Sequence, residues 1–372
     1  MVKNIILFFI ILNIISSNET YGANLYLEFF TRPVEADNII FQTPEEYKGK
    51  FFFIKDRKIL LFDKERILNP IEILIGSDAI SEIVKNSNFL FCSDDSKIIE
   101  ISRFGVEKKI DIPFPCISPP RKFKNKIYSV DLKSNVCLTS ESEQKCIKLK
   151  EEKFGEIKLI SLSSPKILQF KNQILVPYEN ELFAISDDLR TRYKMVEFEN
   201  KDFINSTEII GDRLYISTQK KIVIFEISSE NDILKVKQIF NFETKDKIIG
   251  ADFDDEKIAF TYEKGFGIIK NGKTFLKPIR GLIDISYPLI HKNNILFIGQ
   301  FGEKVGRIFG PRKNSLVLVS IKENGEPAIK REYIIHSFAR KIKNSGNNLY
   351  FLTEDSTLYV FRLFSGIYFP NL

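Results

Sequence analysis

One pattern constrains this 372-residue chain more than any other. Eight times, an apolar run opens directly after a short polar turn, and a second apolar run follows across another polar turn. The clearest copy is Asp212-Arg-Leu-Tyr-Ile-Ser-Thr-Gln-Lys-Lys-Ile-Val-Ile-Phe-Glu-Ile227. The opening residues are Phe51, Phe89, Ile127, Ile174, Leu214, Ile258, Ile295 and Leu349. They lie 37 to 54 residues apart, about 43 on average, a period that suits four-stranded propeller blades. A hairpin unit of this size cannot cover both its faces alone. Stacked around an axis, such units cover one another and leave only short edges.

The turns support hairpins. Asp56-Arg57-Lys58, Asp94-Asp95-Ser96 and Glu354-Asp355-Ser356 separate paired runs, and Asn271-Gly272 sits between apolar segments further on. Asp, Asn and Gly tolerate the backbone angles that tight hairpins need. Asp78 to Lys85 is the one short stretch with helical character after residue 23, and we read it as an inner strand. The predicted fold is all-β: a β-propeller of eight blades, each of about four antiparallel strands. The alternative count is seven, with one hairpin as an insertion. Closing the ring requires the chain ends to meet. The strand Asn24–Phe30 is predicted to complete the blade built from Leu349 to Phe369.

Residues 1–22 read as a signal peptide. Lys3 precedes an apolar run from Ile5 to Ile15, shorter than the roughly 20 residues that a membrane-spanning helix needs. Thr20-Tyr21-Gly22 places small residues where a signal peptidase reads, so cleavage is predicted after Gly22. An uncleaved N-terminal anchor is the alternative. The remaining chain, residues 23–372, is expected to be a single propeller domain with no membrane span. This places the protein in the periplasm, the cell envelope or the extracellular space. The net charge of +6 is mild over this length and does not predict nucleic-acid binding.

Leu358-Tyr-Val-Phe-Arg-Leu-Phe-Ser-Gly-Ile-Tyr368 and, more loosely, Glu181-Leu-Phe-Ala-Ile-Ser-Asp-Asp188 resemble the repeat of quinoprotein-like propellers. There, a Leu-Tyr-Ala-Leu-Asp strand is followed by Thr-Gly and a Trp. Here Arg362 stands in place of the Asp, and Trp is absent throughout. The resemblance therefore implies the fold and no cofactor. Relatives with this grammar include periplasmic propellers that scaffold outer-membrane protein assembly.

Four cysteines in an exported chain suggest disulfides. Cys137 and Cys146 fit two strands joined by a polar turn, which predicts a cross-strand bridge and leaves Cys92 with Cys116 by elimination. Buried free thiols are the alternative. Metal binding lacks material, since there is no Cys-x-x-Cys and the only histidines are His291 and His336. Those two read as ordinary polar or packed imidazoles. Acidic groups occur at Asp252-Phe-Asp-Asp-Glu256, Asp94-Asp95 and Asp187-Asp188. Paired carboxylates could hydrolyse glycosides or hold calcium, but each group sits at a predicted turn, where Asp is favoured for backbone reasons.

The most unusual segment is Gly299-Gln-Phe-Gly-Glu-Lys-Val-Gly-Arg-Ile-Phe-Gly-Pro-Arg-Lys313. It lengthens one hairpin connection well beyond the usual. Phe301, Lys304, Arg307, Phe309, Arg312 and Lys313 make it a candidate binding loop, with aromatic anchors and cations for an acidic partner. A long hairpin that merely continues the sheet is the alternative. The basic clusters Arg121-Lys-Phe-Lys-Asn-Lys126 and Arg340-Lys-Ile-Lys343 read as solvated strand edges protected by Lys. The sequence thus predicts a non-catalytic binding or scaffold module for a protein or envelope polymer. An enzyme is the alternative, either a hydrolase using rim carboxylates or a degenerate quinoprotein-like dehydrogenase. A purely structural member of an envelope or secretion complex is a third reading.

Overall fold

Each of the eight opening residues lies at or next to the start of the second strand of its own antiparallel sheet. The computed structural model describes residues 23–365 apart from 32–43, 64–69, 86–87, 103–104, 117, 132, 141–142, 151–165, 231–232, 303, 306–307, 310–311 and 323. Within them there is no helix. The predicted signal peptide, residues 1–22, and the end of the last blade near Phe369 lie outside the described residues.

Blade 1 is built from Glu45–Tyr47, Lys50–Lys55, Lys58–Phe62 and Ile71–Leu74, in order from the axis outward. Blade 2 follows with Val84–Lys85, Phe89–Cys92, Lys97–Ser102 and Gly105–Asp111. Blade 3 is Arg121–Phe123, Lys126–Val130, Asn135–Thr139 and Gln144–Lys148. Blade 4 is Leu168–Phe170, Gln173–Tyr178, Glu181–Ser186 and Arg192–Glu197. Blade 5 is Ile204–Ile210, Arg213–Thr218, Lys221–Glu230 and Ile233–Glu243. Blade 6 is Ile248–Phe253, Lys257–Tyr262, Gly265–Lys270 and Lys273–Pro278.

Blade 7 has a divided inner strand. Leu282–Ile285 and Leu289–His291 both pair with Asn294–Phe301, and Lys313–Ile321 and Pro327–Ile335 follow. Blade 8 takes Lys343–Ser345, Asn348–Leu352 and Leu358–Ser365 from the end of the chain and its outermost strand, Ala23–Thr31, from the beginning. Eight is therefore the count. The alternative of seven fails because every opening residue heads a sheet of its own, so none belongs to an inserted hairpin.

The core is divided in the same way. Side chains alternate across a strand, and here both faces of the second and third strands are buried, so these strands read as nearly unbroken apolar runs. Phe51, Phe53, Leu60 and Phe62 of blade 1 pack on Tyr350, Leu352, Leu358 and Val360 of blade 8. The alternate residues Phe52, Ile54 and Ile59 face blade 2 and meet Phe89, Phe91, Ile99 and Ile101. Six further clusters fill the interfaces from blade 2 round to blade 8, one at each. Gly267 is required by this packing. The Phe260 ring covers it so closely that an added Cβ would lie 2.2 Å from the ring.

Antiparallel connectivity puts the links between blades and the second-to-third turns on one face of the ring. A repeated backbone bond ties them together. Asp94 N–H donates to Asp78 O, Gln219 to Phe203, Glu263 to Lys247 and Glu354 to Phe338, at 3.0, 3.0, 3.0 and 2.8 Å. We call this the linker face.

Both predicted disulfides form, and no described cysteine is free. Cys137 and Cys146 are directly opposite in the ladder, with Cα atoms 4.1 Å apart. Cys92 and Cys116 join blade 2 to the link before blade 3, inside the apolar cluster between them.

Cys146 is exposed, whereas Cys92 and Cys116 are both buried, and exchange needs access for the attacking thiolate. Mild reductant without denaturant should therefore expose Cys137 and Cys146 to alkylation first, as peptide mass spectrometry would show. Equal labelling of all four would contradict the burial argument. Leu25 is buried in the cluster between blades 7 and 8, and the Tyr333 hydroxyl bonds to both its backbone N–H and its carbonyl. Leu25→Ala should cost about 2–4 kcal/mol in denaturant unfolding, with loss confined to ring closure rather than to blade formation.

Candidate functional site

The inner strands are short and border the axial channel, where water reaches them. Charge is tolerated there, and the chain places much of it at the ends nearest the linker face. Blade 1 is clasped from both sides. Lys343 of blade 8 pairs with Glu45, and Ser345 donates to Glu46 Oε2 at 2.6 Å. From blade 2, Lys85 Nζ donates to the Glu46 carbonyl at 2.9 Å. Lys341, in the link before blade 8, then passes blade 1 altogether and bonds both oxygens of Glu82, before blade 2, at 2.8 and 2.9 Å. Burial opposes the charge on each of these last two. It is outweighed on Glu82 by Lys341 and Lys343, which hold the carboxyl below its ordinary value, and on Lys341 by Glu82, which raises the ammonium.

Further round the channel, Lys166 pairs with Glu208 at 2.8 Å, and Arg340 pairs with Asp284 at 3.0 Å while lying over the Phe338 ring. Among the described residues, two channel charges are left without an ion pair, Arg121 on blade 3 and Asp252 on blade 6. The basic cluster around 340–343, which the sequence presents as a protected edge, thus largely serves the interior of the ring, whereas in 121–126 only Arg121 does, Lys122 pairing with Glu100 of blade 2 and Lys126 with Asp187 of blade 4.

The acidic groups are dispersed. Asp94 and Asp95 occupy a second-to-third turn on the linker face, where Asp95 accepts from Ser93 Oγ at 2.5 Å. Asp187 and Asp188 lie in a third-to-fourth turn of blade 4 on the opposite face, and Asp188 accepts from Ser186 Oγ at 2.7 Å and from Arg190 N–H at 3.1 Å. Asp254, at the end of the inner strand of blade 6, accepts from Glu256 and Lys257 N–H at 2.9 and 2.7 Å and pairs with Lys257 Nζ. Asp254, Asp255 and Glu256 border an open groove of about 540 Å³ between blades 5 and 6, with Lys270 on the same blade and Arg213 on the facing wall from blade 5. Of the histidines, His291 is buried. Burial, and then Lys292, pushes its pKa down, and its Nδ1 lies 3.2 Å from Asn344 Nδ2.

The long connection of blade 7 lies on the linker face. The corresponding turns are only Asp56-Arg57 in blade 1, Glu179-Asn180 in blade 4, Gln219-Lys220 in blade 5 and Glu263-Lys264 in blade 6. In blade 7 the connection runs from 302 to 312 and carries a ladder of its own, Lys304–Val305 against Ile308–Phe309. Phe301 is half-buried and packs against the cluster between blades 6 and 7, where its ring covers Gly299. Arg312 and Lys313 are exposed, at 3.4 Å from Gln300 Oε1 and from Glu332 respectively. Arg307 lies outside the described residues. The structure thus groups Lys304, Phe309, Arg312 and Lys313 on one projection and sets Phe301 at its root. The channel charges gave no local signal in the sequence, because Glu82 and Lys341 are 259 positions apart.

No protein-family model and no curated protein matches the chain. Similar solved structures include BamB from Moraxella catarrhalis, at 9% identity over 91% of this chain and 100% of that one, with a TM-score of 0.65. The computationally designed Ika8 protein matches at 12% identity over 89% and 98% of the two chains, with a TM-score of 0.62. KlHsv2 with loop 6CD replaced by a Gly-Ser linker matches at 10% identity over 80% and 99%, with a TM-score of 0.50. Identities this low show a shared propeller fold.

Asp252 offers a direct reading of that channel. Burial raises its pKa to about 6 against the pull of the Ile290 N–H and of Lys166. The folded state therefore keeps a proton that the unfolded chain has lost, and this group's contribution to stability falls as pH rises from about 4 through about 6. Asp252→Asn should raise stability at pH 7 by about 1–3 kcal/mol and leave it unchanged near pH 4. Melting curves at the two values would show this, and an equal effect at both would remove the assignment.

Proposed function

We propose that this chain is an exported, non-catalytic β-propeller that serves as a binding or scaffold module for a protein or envelope-polymer partner. The observation that carries the reading is the connection from 302 to 312. It is the largest departure from the repeat, and it stands on the face where the links between blades also lie. A rigid ring with one extended projection suits recognition, because the scaffold fixes the position of the loop while the loop's sequence remains free to vary. Lys304, Arg307, Arg312 and Lys313 favour an acidic surface on the partner, and Phe309 supplies an aromatic anchor. The acidic groups, by contrast, are distributed over different blades and both faces, and Asp95, Asp188 and Asp254 accept from the serine hydroxyls or backbone N–H groups of their own turns.

Export fits one further observation. The chain carries two disulfides, which persist in oxidising compartments. BamB, whose fold is similar, makes a scaffold role for this architecture a natural reading.

Replacing 302–312 by Asn-Gly should leave the melting temperature within a few degrees of the parent. In affinity purification from the native envelope fraction, the shortened chain should lose the co-purifying partner, or at least nine-tenths of it. Recovery of identical partners by both chains would discard the loop as the binding element.

A further inference from the structure

Arg121 opens the inner strand of blade 3, and its buried Nε has no hydrogen-bond partner among the described residues. Burial pushes its pKa down, and Glu208, Glu82 and Glu45 favour the charge from a distance. Each of those carboxylates is committed elsewhere, to Lys166, Lys341 and Lys343. Three anions are thus matched by three ammonium groups, and the guanidinium is the cation left over. A desolvated donor without a partner costs free energy, so its retention calls for an occupant. Arg121 also borders a cavity of about 350 Å³ whose walls come from blades 3, 4 and 5. Phe123, Ile167, Leu168 and Ile209 supply the apolar part of that wall, and Gln169 and the Lys166–Glu208 pair supply, with Arg121, the larger polar part.

We propose that this cavity binds a carboxylate carried next to an apolar side chain, as in a peptide segment where Glu is flanked by Leu or Ile. The guanidinium presents a planar fork that matches a carboxylate through two parallel bonds. The apolar part of the wall, chiefly Phe123 and Ile209, takes the neighbouring side chain. The volume suits one or two side chains rather than a folded surface. The site is separate from the projection on blade 7, so failure of either reading leaves the other standing.

The probes are acetyl-Leu-Glu-Leu-amide, its Gln counterpart and free glutarate, titrated into the full chain by ligand-observed NMR. The Glu peptide should bind at least tenfold more tightly than the Gln peptide. Arg121→Gln should abolish that preference, and Arg121→Lys, which keeps the charge without the fork, should weaken it several-fold. Ile209→Trp fills the cavity while leaving Arg121 in place and should also abolish binding. Melting temperatures of all three variants check that the ring is intact, and removal of the unmatched cation should raise that of Arg121→Gln. Glutarate binding as tightly as the Glu peptide would support the carboxylate site and assign it to small acids. Equal binding of Glu and Gln peptides, undiminished binding by Arg121→Gln, or no binding of either acid to the unsubstituted chain would overturn the proposal.

Discussion

Everything in this molecule depends on the contact between blade 8 and blade 1. The other interfaces join units that are consecutive in the chain, so each new blade is delivered to its neighbour by a covalent link. In a linear stack the two terminal faces would stay wet. Here they are the faces bearing Phe51 and Phe53 on one side and Tyr350 and Leu352 on the other, and ring closure joins them. The chain secures that contact at two radii. At the rim, Ala23–Thr31 pairs with Leu358–Ser365, so the first described strand and the last belong to one sheet. At the axis, Lys343 and Ser345 hold Glu45 and Glu46, and Lys341 reaches on to Glu82.

The inner clasp uses charge for a physical reason. Side chains that face the channel meet water, and an apolar cluster there would gain little from burial. An ion pair in such a setting still meets a desolvation cost, and here the attraction between the partners outweighs it, as the directions on Glu82 and Lys341 show. Glu82 and Lys341 have side chains 18% and 30% exposed, midway between a surface pair and a core pair. Blade 7 shows the same accommodation in its backbone. Its inner strand breaks between Ile285 and Leu289, and Tyr287, in the gap, lies over Gly250 of blade 6 where a Cβ would be 2.1 Å from the ring.

The parts of this fold that were legible in the sequence are those whose cause is local. The second and third strands are buried on both faces, so Phe51–Ile54 or Leu349–Leu352 stand out as apolar runs, and the turns between them need particular residues. Ser96 and Ser356, at φ 58° and 63°, close such turns. The cross-strand cysteines were legible for the same reason. Inner strands were harder to place. Val84–Lys85 is two residues long, too short for any period to appear. The channel was invisible because its chemistry is assembled from distant positions. Arg340-Lys-Ile-Lys343 looks like a basic edge, yet its three cations go to Asp284 of blade 7, Glu82 in the link before blade 2 and Glu45 of blade 1. In 121–126 alternation separates the roles: Arg121 borders the cavity, and Lys122 crosses to Glu100 of blade 2.

The two candidate contact regions differ in what the ring does for them. The projection of blade 7 extends from a second-to-third connection, a position that the fold leaves free. Its length can change without disturbing any interface, since Asn294–Phe301 and Lys313–Ile321 stay paired beneath it. The Arg121 cavity is made by three blades at once, and its shape is set by the angles between them. A loop of the first kind can acquire a partner by local change alone. A cavity of the second kind exists only in the closed ring, and its ligand would stabilise the same closure that creates it, by mass action. The unmatched guanidinium is therefore tied, through the blades around it, to the contact between blade 8 and blade 1.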